Sequence, residues 1–384
     1  MTDRMSHRPR PLRRLLQTAC LVTPLLTAGC GAPFAGGGAT KPMEWVVVAP
    51  DQRSFRLQPS GRGFVPWGFN YDHDETGRLL EDYWQDEWPK VEQDFQEMRD
   101  LGANVVRIHL QLGRFMDAPS RPNGAALARL VRLVRLAERL GLYLDITGLG
   151  CYHKKDVPAW YDRLDEAHRW AVQVRFWEAI ARRCADSPAV FCYDLMNEPV
   201  VPGGRGKRDD WLGPAFAGKH FVQFIALSTA GRERPEIALR WIRTLKAAIR
   251  RRDGRHLITV GLVDWSLDRP GLTSGFVPAR IVGELDFLCT HIYPRAGKLH
   301  DATETLRGFG VGKPVVVEET FPLRCGIQDL AAFIDGSQDL AAGWVGFYWG
   351  RTPAELRKGG TIPDAMMLQW LEFFQQRAGP PRAP

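Results

Sequence analysis

Two apolar runs in this chain end on glutamate. "VFCYDLMNEPV" (190–200) closes on Asn197-Glu198-Pro199, and "KPVVVEETF" (313–321) closes on Glu318-Glu319. A short apolar run with a polar break after it reads as a buried strand, so these carboxylates stand where strands give way to loops. Two carboxyl groups placed on either side of a bond can share the work of breaking it. One protonates the leaving oxygen while the other attacks or activates water, which is what cleavage of a glycosidic bond needs. Side-chain alternation puts Glu318 and Glu319 on opposite faces of their strand, so only one of the two is expected to point inward. His291 and Tyr293 alternate in "THIYP" (290–294) and share a face, as do Arg107 and His109 in "VVRIHL" (105–110).

The elements that must position these residues recur with a strand-then-helix rhythm. Strand candidates are 64–70, 104–110, 142–147, 190–196, 257–262, 286–292, 314–318 and 344–348. Amphipathic helical stretches lie between them, among them 89–101, 124–140, 167–184, 235–251 and 327–335. Alternation of this kind implies a parallel sheet, and eight units favour a closed barrel. No "GxGxxG" follows the first strand, which weighs against a dinucleotide-binding sheet. The expected fold is α/β, a (β/α)8 TIM barrel over 43–384 with a short N-terminal β-hairpin and long βα loops. In such a barrel chemistry gathers where the strands end. The longest insertion, 199–234, carries Trp211, Phe216, His220 and Phe221. It is expected either to wall a cleft or to pack over the barrel.

The chain resembles glycoside hydrolase family 5, of the clan of barrel glycosidases that includes cellulases and mannanases. The resemblance spans about 43–375 and rests on "GFN" (68–70), "VVRIHL", "DLMNEP" (194–199), "THIYP", "KPVVVEET" (313–320) and "GFYWG" (346–350), in family order. It implies a retaining glycosidase acting on β-mannan- or β-glucan-type glycans without a cofactor or metal. Glu198 is then the acid/base and Glu319, by motif register, the nucleophile. Asn197 would bind the sugar 2-hydroxyl, Arg107 and Tyr293 would hold the nucleophile, and His291 would support the acid/base. Trp349 fits a sugar-stacking platform, His109 reaches towards the subsite floor, and Asn70 closes the first strand. Many family cellulases carry a histidine just after strand three, whereas "LDITGLGCYH" offers none before His153. That departure loosens the substrate assignment. The wording "DFLCTHIYP" (286–294) is closer to the mannan-acting branches.

Two rival readings come from other classes. One is a metal-dependent barrel hydrolase using Asp72, His73, Asp74, His109 and His291, with Asp72-His73-Asp74 in a polar loop open to solvent. No "HxH" pair supports it. The other is a non-catalytic carbohydrate-binding surface lipoprotein, which sugar-binding aromatics alone would serve without paired acid and nucleophile.

Bulk properties narrow the partners. The net charge is +7, but residues 1–29 account for +4 of it and the remaining +3 is too little for a phosphate-binding surface. Nucleic acid is therefore not an expected partner, and the arginines of "RLVRLVRLAERLG" (129–141) are expected on the solvated face of a helix. Residues 1–29 read as an export signal, basic and then apolar, and "LTAGC" resembles the lipobox of bacterial lipoproteins, with Cys30 as the lipidated residue. A tether, 30–42, would link the anchor to the barrel, giving an exported, membrane-anchored protein, or a secreted one if ordinary cleavage occurs. A monomer is expected. Of the seven cysteines, the five past Cys30 fit neither a zinc site nor a disulfide framework, and Cys192 and Cys289 read as small buried hydrophobes.

Overall fold

The eight apolar runs form a closed parallel barrel in the computed structural model, which describes residues 42–378 apart from 205 and 270. Its strands are β1 (Trp67–Tyr71), β2 (Val105–Gln111), β3 (Tyr143–Gly150), β4 (Val190–Asn197), β5 (Leu257–Val263), β6 (Leu288–His291), β7 (Val315–Glu319) and β8 (Gly343–Phe347). They follow one another around the ring in chain order, and Phe347 of β8 pairs with Asn70 of β1 to close it. From β2 to β8 every strand position is buried, because the inward face meets the barrel interior and the outward face meets helices. Burial on both faces explains why the runs are nearly continuous in apolar residues.

The helices that cover the barrel are α1 (Trp88–Asp100), α2 (Gly124–Leu140), α3 (Glu166–Cys184), α4 (Arg234–Arg250), the short α5 (Pro278–Ile281), α6 (Leu299–Gly308), α7 (Ile327–Gly336) and α8 (Ile362–Arg377). In α2 the Asn123 side chain accepts from Ala126 N, and Gly141 ends the helix at φ 67°, a left-handed turn that glycine adopts without strain. One face of α2 buries Leu127, Leu130, Leu133 and Leu136 while Arg132, Arg135 and Arg139 face solvent, as the spacing predicts. On β8 a Cβ at Gly346 would lie 1.9 Å from the Trp370 ring of α8, so only glycine lets that indole seat against the barrel. Among the described residues no helix is long and apolar enough to cross a membrane.

The predicted run 64–70 is two elements, not one. Gly63–Phe64 pairs antiparallel with Phe55–Gln58, which pairs with Trp45–Val48, so the expected hairpin is a three-stranded sheet. Pro66, which has no N–H to give a ladder, stands between that sheet and β1. The sheet supplies Val46, Phe55, Leu57 and Phe64 to a cluster with Val105, Tyr143, Phe191, Cys192, Leu257, Phe287, Cys289 and Val316, residues near the beginnings of the strands. It therefore plugs the amino-terminal end of the barrel. Phe55 meets Phe191 and Phe287 edge to face at 5.3 and 5.2 Å. Cys192 and Cys289 are fully buried here, and all five described cysteines are unpaired. The signal segment, Cys30 and all but the last residue of the tether lie outside the described residues.

Candidate active site

Above the apolar plug the barrel interior turns polar, because the next inward positions carry Asn70 on β1, Arg107 on β2, Asp145 and Thr147 on β3, Asp194 on β4 and Glu318 on β7. Arg107 is the hub and has no exposed surface. Its Nη1 donates to Glu319 Oε1 at 2.7 Å and to Asn70 Oδ1 at 3.0 Å; Nη2 donates to Asp194 Oδ2 at 2.8 Å and Asn197 Oδ1 at 2.9 Å. Glu318 Oε2 is 3.4 Å from Nη2. Burial opposes the guanidinium charge, but Glu318, Asp194 and Glu319 outweigh it and hold the group well above its ordinary range. Across from it, a Cβ at Gly261 of β5 would lie 2.8 Å from Arg107 Nη2 and 2.8 Å from Glu318 Oε2. The missing side chain is what makes room for the ion cluster.

The end of β4 places Glu198. Its backbone is left-handed, φ 47°, a conformation that costs a non-glycine residue about 1–3 kcal/mol and is found where the surroundings impose it. Here Glu198 N donates to Gly261 O at 2.8 Å and Glu198 O accepts from Gln223 N at 3.3 Å. The strand also shifts register against β5 just before this point. Such a shift re-aims a side chain.

On β7 the expected alternation does not hold. Val317 pairs with Thr290, but Glu319, not Glu318, pairs with His291, so a bulge absorbs one residue between them. Both glutamates consequently reach Arg107: Glu318 lies in the closed interior with no exposure, and Glu319 sits one level higher at the mouth with its side chain 11% exposed. Tyr293 Oη donates to Glu319 Oε2 at 2.6 Å. Burial and the Glu319 charge keep that phenol well above its usual range, so it stays a donor.

His291 joins the two levels. Its Nδ1 is 3.0 Å from Glu198 Oε1 and 3.5 Å from Glu319 Oε2, and its Nε2 is 3.2 Å from Glu318 Oε2. Burial alone would lower this imidazole, but the Glu319 charge and the hydrogen bonds to Glu198 and Glu318 push it up to about 10. It is therefore an imidazolium that donates from both nitrogens. Single ligand atoms of Glu198, His291 and Glu319 all lie within 4.8 Å of one another.

The other residues singled out in the sequence form the surrounding wall. Asn70 Nδ2 donates to the carbonyls of Glu318 and Gly346, both at 2.9 Å. His109 Nδ1 is 2.5 Å from Tyr152 Oη and Nε2 is 3.3 Å from Asn70 Oδ1. Burial and the nearby Arg107 charge hold His109 well below its usual range, so it is neutral, accepting from Tyr152 and donating to Asn70. Tyr152, rather than His153, thus faces the site beyond β3. Trp349, two residues past β8, gives its Nε1 to Asp72 Oδ1 at 3.1 Å, and the His73 ring stacks on it at 5.0 Å and 15°. One indole face is covered by that histidine.

The 199–234 loop both packs and walls. Trp211 is buried with the Arg169 guanidinium 4.4 Å from its ring centre. Residues 219–223 run from Glu198 across the mouth: Asn197 Nδ2 donates to Phe221 O at 3.2 Å, the Phe221 ring meets Tyr152 at 5.1 Å, and His220 N donates to Tyr152 O at 2.9 Å. Phe216, at the hairpin tip, is 63% exposed.

The five residues of the metal reading do not converge. Asp74 accepts from Thr76 and Arg78, His73 stacks on Trp349, and His109 is spent on Tyr152 and Asn70. Nor is that loop open to solvent, since Asp72 and Asp74 are buried; the Asp74 carboxylate satisfies the turn's N–H groups and so is drawn inside. Asp145, Asp194 and Tyr152 were not singled out in the sequence. The first two had a signal available, a lone carboxylate inside an apolar strand run ("LYLDIT", "FCYDLM"); Tyr152 had none.

A sequence profile described as Cellulase (glycosyl hydrolase family 5) matches residues 66–305, a span that holds Arg107, Glu198, His291 and Tyr293 but ends before β7. The chain is similar to mannan endo-1,4-beta-mannosidase A of Podospora anserina, 26% identical over 283 residues. That alignment covers 65% of each protein, so the chain spans just under two thirds of its relative's length. Among solved structures it is similar to an exo-beta-1,4-mannosidase from Opitutaceae bacterium strain TAV5, with TM-score 0.62 and 16% identity over 86% of this chain and 63% of that one. It is likewise similar to a beta-1,4-mannanase from the sea hare Aplysia kurodai, with TM-score 0.59 and 16% identity over 88% and 99% of the two chains. At these identities the structural likeness speaks for the barrel alone.

Proposed function

Because the chain belongs to glycosyl hydrolase family 5, we propose that it hydrolyses β-linked mannan or manno-oligosaccharides with retention of configuration, Glu319 acting as nucleophile and Glu198 as acid/base. The observation that carries this reading is the separation of the two carboxyl groups. Oxygens of Glu198 and Glu319 lie within 4.8 Å of each other, near the roughly 5–5.5 Å of retaining enzymes and short of the roughly 6.5–9.5 Å that an interposed water needs.

In the first half of the reaction Glu319 attacks the anomeric carbon and Glu198 gives its proton to the leaving oxygen. In the second, Glu198 takes a proton from water, which displaces Glu319 and releases the sugar. Arg107 and Tyr293 each occupy one Glu319 oxygen, fixing the carboxylate in place for attack. Asn197, anchored by Arg107 and Phe221 O, stands beside Glu198 for the sugar 2-hydroxyl. Trp349, half-buried beside Phe321 and Phe347, is the aromatic surface offered to the ring of the sugar. Mannose is preferred to glucose as the backbone sugar because the named relatives act on mannans and mannosides.

The test is a panel of β-mannans, β-glucans and their oligosaccharides with product sizing, using Glu198→Ala and Glu319→Ala as blanks. Release of manno-oligosaccharides or mannose by the wild type and not by the blanks supports the reading; no hydrolysis on any β-glycoside, with binding retained, would favour a carbohydrate-binding protein instead. For the leader, the proposal is a lipid on Cys30 that tethers the barrel to a membrane. Cys30→Ser should release the protein from the membrane fraction.

A further inference from the structure

The barrel holds more carboxylate than the reaction uses. Asp145, Asp194 and Glu318, all buried, offer oxygens within 4.8 Å of one another beneath the catalytic pair. Asp194 is well supplied with donors: Arg107 Nη2 at 2.8 Å, Thr147 Oγ1 at 2.7 Å, Gly261 N at 2.7 Å and Met196 N at 3.4 Å. Asp145 is not. Its Oδ1 has no hydrogen-bond partner among the described residues, and neither has Glu318 Oε1. Arg107 Nε, also without a partner, does not reach either oxygen. The Asp145 and Glu318 carboxyl groups, with oxygens within 4.8 Å of each other, each keep one oxygen without a partner; two such buried anions together are costly, whereas one proton makes a donor of the first and an acceptor of the second.

Burial and the Glu318 charge outweigh the Arg107 charge, which opposes a proton on Asp145. Arg107 of β2, Asp194 and the Cys192 thiol of β4, and His291 and the Cys289 thiol of β6 stand next to the pair, and Gly261 of β5 leaves room for it; the neutral His109 and Glu319 lie one level up. Arg107 is already shared by Asp194, Glu318 and Glu319. His291 is engaged by Glu318, Glu198 and Glu319. Among the described residues no salt bridge reaches Asp145.

We propose that Asp145 is a positioning residue that keeps its proton and donates it in a hydrogen bond to Glu318, and that Glu318, so held ionised, fixes His291 as the imidazolium spanning Glu198 and Glu319. The proton is resident: it is taken up from solvent, stays on Asp145 and passes into no substrate bond. Burial and the Glu318 charge push the Asp145 carboxyl well above its ordinary range. Arg107 and His291, against the opposing effect of burial, bring Glu318 down to about 2. The device extends the catalytic reading of Glu198 and Glu319 downward, since its effect on turnover rests on their roles, but the shared proton itself does not.

Infrared spectroscopy on the unliganded full chain at neutral pH reads the proton directly. The expected spectrum contains a carbonyl band of a protonated carboxylic acid that persists in Glu198→Gln and is missing in Asp145→Asn. Incorporation of heavy-carbon aspartate in the wild type should shift the same band, which assigns it to an aspartate without any substitution. The pH profile of kcat/KM reads the consequence: Glu318→Gln should move both limbs downward by about one pH unit, because an anion is removed from beside His291 and the imidazolium charge then acts more fully on Glu198 and Glu319, while Asp145→Asn, a neutral donor in place of a neutral donor, keeps the wild-type limbs. No aspartic acid band in the wild type, or limbs in Asp145→Asn displaced as far as in Glu318→Gln, would overturn the proposal. If no β-glycoside is hydrolysed, the functional reading fails, and the infrared result still decides where the proton is.

Discussion

Arg107 Nη1 lies 2.7 Å from Glu319 Oε1, inside a guanidinium fork whose other arm holds Asp194 and Asn197. One side chain thereby fixes Glu319 and the neighbour of Glu198 in a single frame. Lysine has one ammonium in place of the planar fork. Arg107→Lys is expected to lower kcat/KM by about 100-fold or more and to cost on the order of 3 kcal/mol of stability, because buried carboxylates lose their partner. Steady-state kinetics with urea unfolding of the same variant checks both. A variant within a few-fold of wild type would mean that the fork is not what holds Glu319.

Glu198 and Glu319 should fail differently. Glu198→Ala is expected to lose about 10²–10⁴-fold on unactivated mannan but far less on an aryl mannoside whose leaving group needs no proton. Glu319→Ala should be inactive on both. Comparing the two substrates across the two variants gives the answer; equal losses on both substrates for Glu198→Ala would remove it from the acid role.

Stability should depend on pH through His291. Its folded-state value is raised from 6.5 to about 10, so the folded protein keeps a proton that the unfolded chain has lost in this window. The contribution is full below 6.5 and disappears as the pH climbs towards about 10. Unfolding free energy from urea titrations should therefore fall with rising pH by up to about 1.4 kcal/mol per unit for this proton. His291→Gln should flatten that slope. Parallel curves for the two proteins would show that His291 is not the group responsible.

Gly261 is a packing requirement of the ion cluster. Gly261→Ala puts a methyl 2.8 Å from both Arg107 Nη2 and Glu318 Oε2. The expected cost is about 1–3 kcal/mol, as for other overpacked interiors, with a loss of activity from the displaced guanidinium. Calorimetry and kinetics on this variant, beside Gly254→Ala in an open turn, separate crowding from a general glycine effect.

Much of this arrangement was legible before any coordinates. The apolar runs marked all eight strands, since burial on both faces leaves a continuous pattern, and Glu198, Glu319, Arg107, His291 and Tyr293 come together as strand ends of one barrel must. What escaped depends on irregularities that alternation does not encode. A bulge on β7 turns Glu318 inward beside Glu319, and register against β6, not local sequence, determines it. Pro66 divides one predicted strand into two because pairing partners differ on its two sides. Asp145 is a lone carboxylate within an apolar strand run, and its partner, Glu318, lies 173 positions away along the chain. Tyr152 reaches His109 from the loop after β3, where His220 N holds its carbonyl, a contact between segments far apart in sequence.

The central claim is that Glu198 and Glu319 act by double displacement, and the configuration of the first product tests it most directly. Proton NMR of a manno-oligosaccharide digest, recorded before the sugar can mutarotate, should show the newly formed reducing end as the β-anomer. An initial α-anomer would mean single displacement by water and would contradict the assignment of Glu319 as nucleophile.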